Sequence, residues 1–412
     1  MKTLILAPET CNLAETTRMI QIAKACKDDF DVLFMSYGGE FEKVITEEGF
    51  EMKKMYPRMT PEKIERLYKI DKGEEFGDFF SAEELIERVE NELALYKEVD
   101  PVAVVTGFCF SASISCRVAK VPLLWVIQST WTEVYYRSGL GTYPDMFDFP
   151  ILRWIPEKIM DKLSSGIMNM IVGFMTGPFN KAARKFGVKP FRNMRGLWEG
   201  DYTLMAEPPE FSDLTDFPPN YHFIGPLLGK LSYDIPEEIL NMPKDKPVIY
   251  FAMGSSGTPE IVAKIIEGFG ERPYTVIAPV KGLLEKMDVK IPENVIATGW
   301  IPAHKVNPMA DISVIHGGIG TVMTACLSGT PVVGVGMQPE QEANIECLVR
   351  KGFAIRIKKL RVTPGKILDA VDKLLGDEEA KKKAKEFQEI IEKWDGPEKK
   401  REFFVKTFGG SE

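Results

Sequence analysis

The stretch from Ile315 to Cys347 decides the fold, and it reads IHGGIGTVMTACLSGTPVVGVGMQPEQEANIEC. An apolar run stops at His316, a glycine turn follows, and a helical stretch at residues 322–327 leads to a second apolar run at 331–335. Glycines let backbone N–H groups approach a phosphate, and the amino end of a helix favours negative charge. The order strand, turn, helix, strand therefore predicts half of a nucleotide-binding unit. Neither GxGxxG spacing nor GxxxxGK[ST] occurs there, which argues against dinucleotide dehydrogenases and P-loop NTPases.

The composition is that of a globular chain with two domains. Its 412 residues suffice for two domains of roughly 200 residues each. The net charge of −8 argues against nucleic acid as a partner. Six cysteines without CxxC spacing are typical of reduced thiols, and three scattered histidines argue against a histidine-based metal site. The start of the chain lacks the apolar core of a signal peptide, and no run reaches the ~18 apolar residues of a membrane helix. We therefore expect a cytoplasmic protein.

Short apolar runs alternate with helix-like stretches along the chain. In the first half, strands are predicted at residues 3–7, 30–36, 102–105 and 123–127, with helices at 16–27, 82–96 and 111–120. In the second half, strands are predicted at 247–252, 274–278, 295–298 and 312–315, with a helix at 259–269. Ser81 and Glu84 form a capping-box pattern before one of these helices. Such alternation predicts parallel sheets with crossover helices.

A proline- and aspartate-rich stretch at residues 208–243 separates the two halves. We therefore predict an amino-terminal domain at residues 1–228 and a carboxyl-terminal domain at 232–395. Both are expected to be α/β domains built on doubly wound parallel sheets that face a cleft. The charged tail is interrupted at Asp395-Gly396-Pro397, so residues 396–412 are expected to form a separate helix.

The residues around the glycine turn resemble the sugar-nucleotide site of the UDP-glycosyltransferase superfamily, whose pattern reads HGGxGTxxxAxxxGxPxVxxPxxxDQxxNA. The matching positions are His316, Gly317, Gly318, Gly320, Thr321, Ala325, Gly329, Pro331, Val333, Gln341 and Asn344. Gly336 stands where the family has Pro, and Glu340 stands where it has Asp. The resemblance is to bacterial and archaeal enzymes of the macrolide and glycopeptide type. It implies the GT-B architecture of two Rossmann-like domains, with the last helix crossing back onto the amino-terminal domain.

The resemblance implies a set of donor contacts. Gly254, Ser255 and Ser256 would offer hydroxyl and N–H groups to a diphosphate, although a sterically required turn has the same sequence. His316 and the N–H groups of Gly318, Gly320 and Thr321 would bind phosphate oxygens, and Glu340 and Gln341 would bind sugar hydroxyls. The run Gly299-Trp300-Ile301-Pro302 resembles the family's GWxPQ, in which the Trp300 indole would stack on a pyrimidine and the backbone at Ile301 would contact the base edge. A buried core tryptophan is the alternative.

Two departures leave the donor open between UDP and dTDP sugars. Ala303 stands where the family has a Gln, so one ribose contact is expected to be absent. Thr324 stands eight residues after His316, where many members carry a ribose-binding Glu. The sequence therefore predicts a pyrimidine nucleoside-diphosphate sugar and leaves both the base and the sugar unassigned.

The catalytic side departs further from the family. Inverting transfer to a hydroxyl needs a general base, which the family supplies from a GHxxR loop with a partner Asp after the fourth strand. Alignment places Glu15 at the His position and Arg18 at the Arg position, while residues 105–108 contain no Asp. A carboxylate in an apolar cleft can act as a base because burial raises its pKa. Two alternatives stay open: Glu15 only stabilises a helix start, or Arg18 binds an already ionised acceptor.

The acceptor region combines aromatic and methionine-rich segments. Gln128 and Trp131 follow a predicted strand end, and Met170 and Phe174 lie in an apolar run at residues 166–175. Methionine-rich surfaces adapt to bulky apolar ligands. Two interpretations of the apolar run stay open. It forms core and pocket wall only, or it also contacts a membrane surface peripherally and receives a lipid acceptor.

These features predict an inverting glycosyltransferase that needs neither a cofactor nor a metal ion. Its substrates would be a nucleotide sugar and a hydrophobic small-molecule or lipid acceptor. Two alternatives share the architecture: a sugar-nucleotide 2-epimerase, and a non-catalytic relative that binds nucleotide sugars or glycans. The loss of the His–Asp pair favours the second of these. Product analysis separates a transferred sugar, an epimerised donor and binding without turnover.

We predict that transfer survives excess chelator. Glycosyltransferases of the other main fold hold a divalent cation with an Asp-x-Asp pair at the diphosphate, and the donor stretch of this chain has no such pair. A helix dipole and backbone N–H groups would neutralise the leaving diphosphate instead. Initial rates with and without EDTA are the measurement. A rate that only manganese or magnesium restores would contradict the prediction.

Overall fold

The computed structural model describes residues 1–409 apart from 72–74, 76, 141–142, 146–147, 157–158, 161–162, 164–174, 231–233, 244, 254–258 and 286. These residues form two α/β domains, each built on an all-parallel sheet. The first sheet has seven strands in the order β3-β2-β1-β4-β5-β6-β7. They are β1 (Lys2–Leu6), β2 (Phe30–Ser36), β3 (Glu51–Lys54), β4 (Ala103–Thr106), β5 (Leu123–Ile127), β6 (Tyr202–Met205) and β7 (Tyr221–Phe223).

The second sheet has six strands in the order β10-β9-β8-β11-β12-β13. They are β8 (Val248–Ala252), β9 (Thr275–Ala278), β10 (Val295–Ala297), β11 (Ile312–Ile315), β12 (Val332–Gly334) and β13 (Ala354–Arg356). Both sheets reverse their strand order beside the first strand of the domain. Parallel α/β sheets bind ligands at the carboxyl ends of strands around such a reversal.

The described helices connect and cover the strands. In the amino-terminal domain they are α1 (Leu13–Cys26), α2 (Glu42–Glu47), α3 (Pro61–Asp71), α4 (Ala82–Val99), α5 (Ala112–Ala119), α6 (Glu133–Ser138) and α7 (Gly177–Lys185). Beyond them lie α8 (Glu237–Leu240), α9 (Pro259–Gly268), α10 (Lys281–Leu284), α11 (Ala303–Val306), α12 (Ile319–Ser328), α13 (Pro339–Lys351), α14 (Pro364–Leu375), α15 (Glu378–Glu392) and α16 (Pro397–Phe408). Short 3₁₀ turns lie between several of them.

The strands are apolar on both faces because helices cover both sides of each sheet. In β1, Leu4 and Leu6 join a buried cluster on one face, whereas Ile5, together with Ala7 just after the strand, joins a cluster on the other. The second sheet lies within a single large cluster, which also receives Tyr135 from the amino-terminal domain. The predicted fold class, two Rossmann-like parallel-sheet domains of the GT-B type, is confirmed by this topology.

Most predicted elements lie within a few residues of the observed ones. Ser81 caps α4 as expected, since its hydroxyl accepts from the Glu84 N–H at 3.1 Å. Four short strands were not predicted from the sequence: β3, β7 and β13 lie at sheet edges, whereas β6 lies between β5 and β7. Edge strands are half-exposed and lack a strong apolar signal. In the part of the chain that the structure describes, no helix combines the length and apolarity needed to cross a bilayer.

The last helix, α16, packs on the amino-terminal domain. Phe404 and Phe408 lie in the same buried cluster as Leu4 and Leu6. Arg401 holds the Asp29 carboxylate with two hydrogen bonds of 2.6 Å, and the Lys2 ammonium donates to the Phe408 carbonyl at 2.9 Å. The chain therefore returns to its first domain after completing the second.

We predict that Phe404→Ala destabilises the amino-terminal domain by ~3–5 kcal/mol, because it empties a fully buried aromatic site. Denaturant unfolding, followed by signals from each domain, is the measurement. Glu402→Ala on the exposed face of the same helix is the matched control, expected to change the unfolding free energy by less than about 0.5 kcal/mol. Equal effects of the two substitutions would show that α16 does not complete the core.

Candidate active site

The carboxyl ends of the two sheets face each other and are joined by hydrogen bonds. Gln128, just after β5, donates to the Glu340 carboxylate at the start of α13 at 3.3 Å. Thr130 donates to the Asn344 side-chain oxygen at 2.7 Å, and both residues are buried. The predicted acceptor residue Gln128 and the predicted sugar-binding residue Glu340 are therefore in direct contact.

The glycine turn between β11 and α12 has a backbone that other residues cannot adopt without strain. Gly317 has φ +88°, and a Cβ there would lie 2.5 Å from the Gln341 carbonyl. Gly318 is the N-cap of α12 and has no side chain, so the N-cap residue itself leaves the N–H groups of the first turn open. A Cβ at Gly320 would meet no atom within 4 Å. The turn therefore presents open space and helix N–H groups of Gly320 and Thr321 to an anion.

The His316 ring is oriented by a backbone carbonyl. Its Nδ1 lies 3.2 Å from the Ala252 carbonyl oxygen, which can only accept, so Nδ1 carries a hydrogen. Nε2 points toward the glycine turn, since a Cβ at Gly318 would lie 2.7 Å from it. Burial lowers the pKa of His316. The neutral ring therefore offers an acceptor to the turn, and only the imidazolium can donate from Nε2 to a phosphate.

Trp300 is 72% exposed at the carboxyl side of β10, whereas Ile301 beside it is buried. This placement excludes the buried core tryptophan and leaves the indole available for stacking on a base. The predicted diphosphate residues Gly254, Ser255 and Ser256 lie outside the described residues. Gly336, a departure from the family pattern, lies against α13: a Cβ there would be 2.7 Å from the Glu342 amide nitrogen.

The start of α13 carries the predicted sugar-binding pair. Glu340 is half-buried and accepts from Asn344 at 3.1 Å as well as from Gln128. Gln341 is buried and stabilises its own loop, since it accepts from the Met337 N–H at 3.0 Å and donates to Gln338 at 2.8 Å. Asn344 also donates to the Gly317 carbonyl at 3.0 Å. Glu340 thus bonds the amino-terminal domain, whereas the hydrogen bonds that join Gln341 to Met337 and Gln338 lie within its own loop.

Glu15 lies in the first turn of α1, at the carboxyl end of the first sheet. Its Oε1 accepts from the Gly107 N–H at 2.8 Å, and its Oε2 lies 3.6 Å from the Arg18 guanidinium. A Cβ at Gly107 would lie 2.5 Å from the carboxylate, so only glycine admits this contact. Burial raises the pKa of Glu15, and Arg18 and the Gly107 N–H partly oppose that shift. Glu15 therefore reaches the end of β4, where the family places its Asp.

Two further buried carboxylates at this sheet edge were missed by the sequence analysis. Glu207, after β6, accepts from the Ser129 N–H at 2.9 Å, and its other oxygen has no hydrogen-bond partner among the described residues. Burial raises the pKa of Glu207 to about 7. Glu9, after β1, pairs with the buried Arg88 at 2.8 Å. No local motif marks either residue, and only the position after a predicted strand could have suggested them.

Aromatic side chains lie beside this carboxylate cluster. Trp131 contacts Trp198 with ring centroids 5.2 Å apart, and Trp198 contacts Phe110 at 6.4 Å. Phe108 lies 4.8 Å from Phe110, directly after β4. The predicted acceptor residues Met170 and Phe174 lie outside the described residues. Trp131 thus belongs to an aromatic wall at the carboxyl end of β4 and β5, next to Gln128.

Residues 143–145 and 148–154, which we call the strap, hold the two domains together beside this site. Asp145 bonds the Arg356 guanidinium at 2.6 Å and the Lys359 N–H at 2.7 Å. Its own N–H donates to Glu342 at 2.9 Å. Burial and the neighbouring Asp145 carboxylate raise the pKa of Glu342. Farther along, Asp148 binds Arg361 at 2.6 Å, and this contact lowers the pKa of Asp148 to about 2.

We predict that nucleoside-diphosphate binding takes up a proton at His316. The diphosphate favours the imidazolium and raises the His316 pKa in the complex, so affinity is full at low pH and falls as the pH rises through the bound-state pKa. His316→Ala should weaken UDP or dTDP binding by roughly 1–3 kcal/mol and remove this pH dependence. Calorimetry in buffers of different ionisation enthalpy measures the proton count.

His222→Asn is the control, because His222 lies on the edge strand β7 and packs on Phe403, away from the glycine turn. It should leave the affinity and the proton uptake unchanged. Binding of UDP and dTDP without proton uptake by the wild-type protein would contradict a donating His316.

Known proteins resemble this chain over most of its length. The profile of the family "UDP-glucoronosyl and UDP-glucosyl transferase" matches residues 99–398. A PGL/p-HBAD biosynthesis rhamnosyltransferase of Mycobacterium bovis is 26% identical over 311 residues, covering 75% of this chain and 68% of the relative. A PGL/p-HBAD biosynthesis glycosyltransferase of Mycobacterium tuberculosis is 24% identical over 390 residues, covering 94% of this chain and 88% of the relative. An M. bovis relative described as inactive is 24% identical over 269 residues, 65% of this chain and 70% of its own.

The solved structures agree with the topology. Glycosyltransferase VinC, in complex with DTDP, superposes with a TM-score of 0.68 over 98% of both chains at 16% identity. At that identity the likeness concerns the fold, while the family match rests on the sequence of more than half of the chain. The chain therefore belongs to the UDP-glucoronosyl and UDP-glucosyl transferase family and is a glycosyltransferase of the GT-B fold.

Proposed function

We propose that this glycosyltransferase transfers a sugar, with inversion and without a metal ion, from a UDP or dTDP donor to a hydroxyl of a hydrophobic small molecule or lipid. The observation that carries the proposal is the buried Glu15 carboxylate, held by the Gly107 N–H and lying beside Arg18. It stands at the end of the first sheet that faces the glycine turn of the second. In this proposal the proton acceptor belongs to one domain and the anion site to the other.

The donor assignment rests on the second domain. The uncapped amino end of α12 offers N–H groups to the diphosphate, and exposed Trp300 offers an indole face to a base. The known complex of VinC with DTDP supports a pyrimidine nucleotide in a protein of this fold. The sugar would extend toward Glu340, which already bonds Gln128 across the cleft.

In the proposed reaction Glu15 removes the proton from the acceptor hydroxyl. The acceptor oxygen then forms a bond to the anomeric carbon while the bond from that carbon to the diphosphate oxygen breaks. The electron pair of the broken bond stays on the diphosphate, where helix N–H groups and protonated His316 stabilise the charge. Attack from the face opposite the leaving group inverts the anomeric configuration. The acceptor proton remains on Glu15 until product release.

The Glu15 environment suits a base because opposing effects set its pKa. Burial raises the pKa, so the carboxylate binds a proton more strongly than it would in water. Arg18 and the Gly107 N–H favour the ionised form and keep it available. The aromatic wall of Trp131, Trp198 and Phe110 supports a hydrophobic acceptor next to this group. An acceptor that arrives ionised would not need Glu15.

The alternative is a non-catalytic protein that binds nucleotide sugars or glycans. Two observations favour it: the His–Asp pair is absent, and one similar M. bovis protein is described as inactive. A 2-epimerase, the other alternative of the same fold, would return an epimerised donor with no acceptor consumed. Incubation of the protein with UDP- and dTDP-sugars and a panel of hydrophobic alcohols, followed by product analysis, distinguishes the three functions. A transferred sugar of inverted configuration is the expected result.

We predict that Glu15→Gln lowers transfer by ~10²–10⁴-fold, because it keeps the side-chain shape and removes the proton acceptor. Nucleotide binding should hardly change, because the donor site lies on the other domain. In the wild-type protein, transfer should fall as the pH drops through the Glu15 pKa, since the base must be ionised. The variant should lose this acidic limb. Initial rates across pH are the measurement.

Glu207→Gln is the matched control, since Glu207 is a buried carboxylate at the same sheet edge, with one oxygen that has no hydrogen-bond partner in the described part of the chain. It should keep transfer within a few-fold of the wild-type rate. The opposite pattern, with Glu207→Gln inactive and Glu15→Gln active, would assign the base to Glu207. Full activity of both variants would exclude both carboxylates, and a large rise in acceptor KM on Arg18→Ala would then indicate an anionic acceptor.

A further inference from the structure

The surface next to the cleft carries a concentration of exposed apolar side chains. Ile151 is 80% exposed and Trp154 is 90% exposed. Phe149, Ile159 and Leu163 are each about half exposed. Soluble proteins rarely expose several large apolar side chains along so short a segment unless the surface binds a partner. Phe149, Ile151 and Trp154, with Ile159 and Leu163 farther along, therefore mark an interaction surface that begins directly after the strap residue Asp148.

This apolar surface is held in place by the carboxyl-terminal domain. The Asp148 side chain is fully buried and binds both Arg361 and Arg153. Leu360, the neighbour of Arg361, is itself 56% exposed, so the surface includes apolar side chains from both domains. The ion pairs at Asp145 and Asp148 join the strap to the segment after β13, at the carboxyl edge of the second sheet. The surface therefore lies at the edge of the cleft that receives the substrates.

Among the described residues, three cations lie around this surface. Arg153 and Arg361 are partly exposed, and Lys366 is exposed and donates to the Arg361 carbonyl at 2.8 Å. Asp148, the acid that faces Arg153 and Arg361, is buried and pairs with both, so one carboxylate opposes two guanidinium groups. The rim is thus cationic in a chain whose formal net charge is −8. An apolar centre with tryptophan and a rim of Lys and Arg matches the boundary between acyl chains and anionic headgroups.

We propose that the surface of Phe149, Ile151, Trp154 and Leu360, with its rim of Arg153, Arg361 and Lys366, docks the protein on an anionic lipid bilayer. The apolar side chains enter the headgroup boundary, and the cations bind lipid phosphates. Because the surface borders the cleft, docking brings the cleft next to the bilayer, where an acceptor with an acyl chain would enter. The entry of a lipid acceptor from the bilayer rests on the proposed function, whereas docking on the bilayer does not.

The test is co-sedimentation of the full chain with vesicles of phosphatidylcholine that contain phosphatidylglycerol. The wild-type protein should bind them, and the double variant Ile151→Ser, Trp154→Ser should bind at least about tenfold more weakly, because two large apolar side chains no longer enter the lipid. The control is Ile291→Ser, an exposed apolar residue just before β10 at the opposite edge of the second sheet. It should leave vesicle binding unchanged.

The charge contribution is tested with Lys366→Glu. Thr363 caps α14 by accepting from the Lys366 N–H, so a glutamate there completes a capping box and the helix is expected to fold. Binding to phosphatidylglycerol vesicles should fall several-fold at low salt, and binding to pure phosphatidylcholine should not change. Lys290→Glu, exposed before β10, is the control for the same change in net charge.

Three results would overturn the proposal. The first is that the wild-type chain does not sediment with phosphatidylglycerol vesicles, and the second is that the double variant sediments as the wild type does. The third is that light scattering detects a dimer of the wild type that the double variant has lost. The last result would make the surface a contact between copies. UDP binding and transfer to a water-soluble acceptor, measured on the same proteins, should be equal in the wild type and the double variant. Absent transfer with intact vesicle binding would reject the proposed function and keep the docking surface.

Discussion

The amide of Asn344 is the group on which the arrangement of the cleft depends. It accepts from Thr130 of the amino-terminal domain and donates both to the Gly317 carbonyl of the glycine turn and to Glu340. These three partners lie on three segments: the turn after β5, the glycine turn and the start of α13. Asn344 itself is fully buried. A buried amide that loses a partner is left unsatisfied at a cost of about 1–3 kcal/mol. Separating the domains would therefore disturb the anion site and the sugar-binding carboxylate together.

The fold could be predicted because its signals are local. Apolar runs of four to seven residues bounded by glycine or proline identify the central strands, and their alternation with helical stretches implies parallel order. The glycine turn at Gly317–Gly318 could be recognised from residue type alone, since its φ of +88° at Gly317 excludes other side chains. Gln128 and Glu340 each follow a predicted strand, but their direct contact was not predicted.

The remaining features depend on contacts between distant residues. Glu15 and Gly107 are 92 positions apart, and nothing near either one indicates that a glycine is needed for a carboxylate to approach the end of β4. Glu207 and Glu9 have ordinary neighbours in sequence, and only burial distinguishes them. Gly336 likewise departs from the family pattern for a reason visible in three dimensions, the close approach of α13. Burial and close approach are properties of the folded chain, so residue type alone could not predict these contacts.

The return of α16 to the first domain has a consequence for synthesis. The core beneath β1 contains Phe404 and Phe408, which are made almost 400 residues after Leu4 and Leu6. The amino-terminal domain, although its sheet is made first, cannot close this core while the ribosome is still producing the second domain. The second sheet has no such dependence, because its strands and helices are contiguous in the chain. The order of completion is therefore the reverse of the order of synthesis, and until α16 docks the growing chain leaves exposed the part of this cluster, chiefly on α1, that α16 covers.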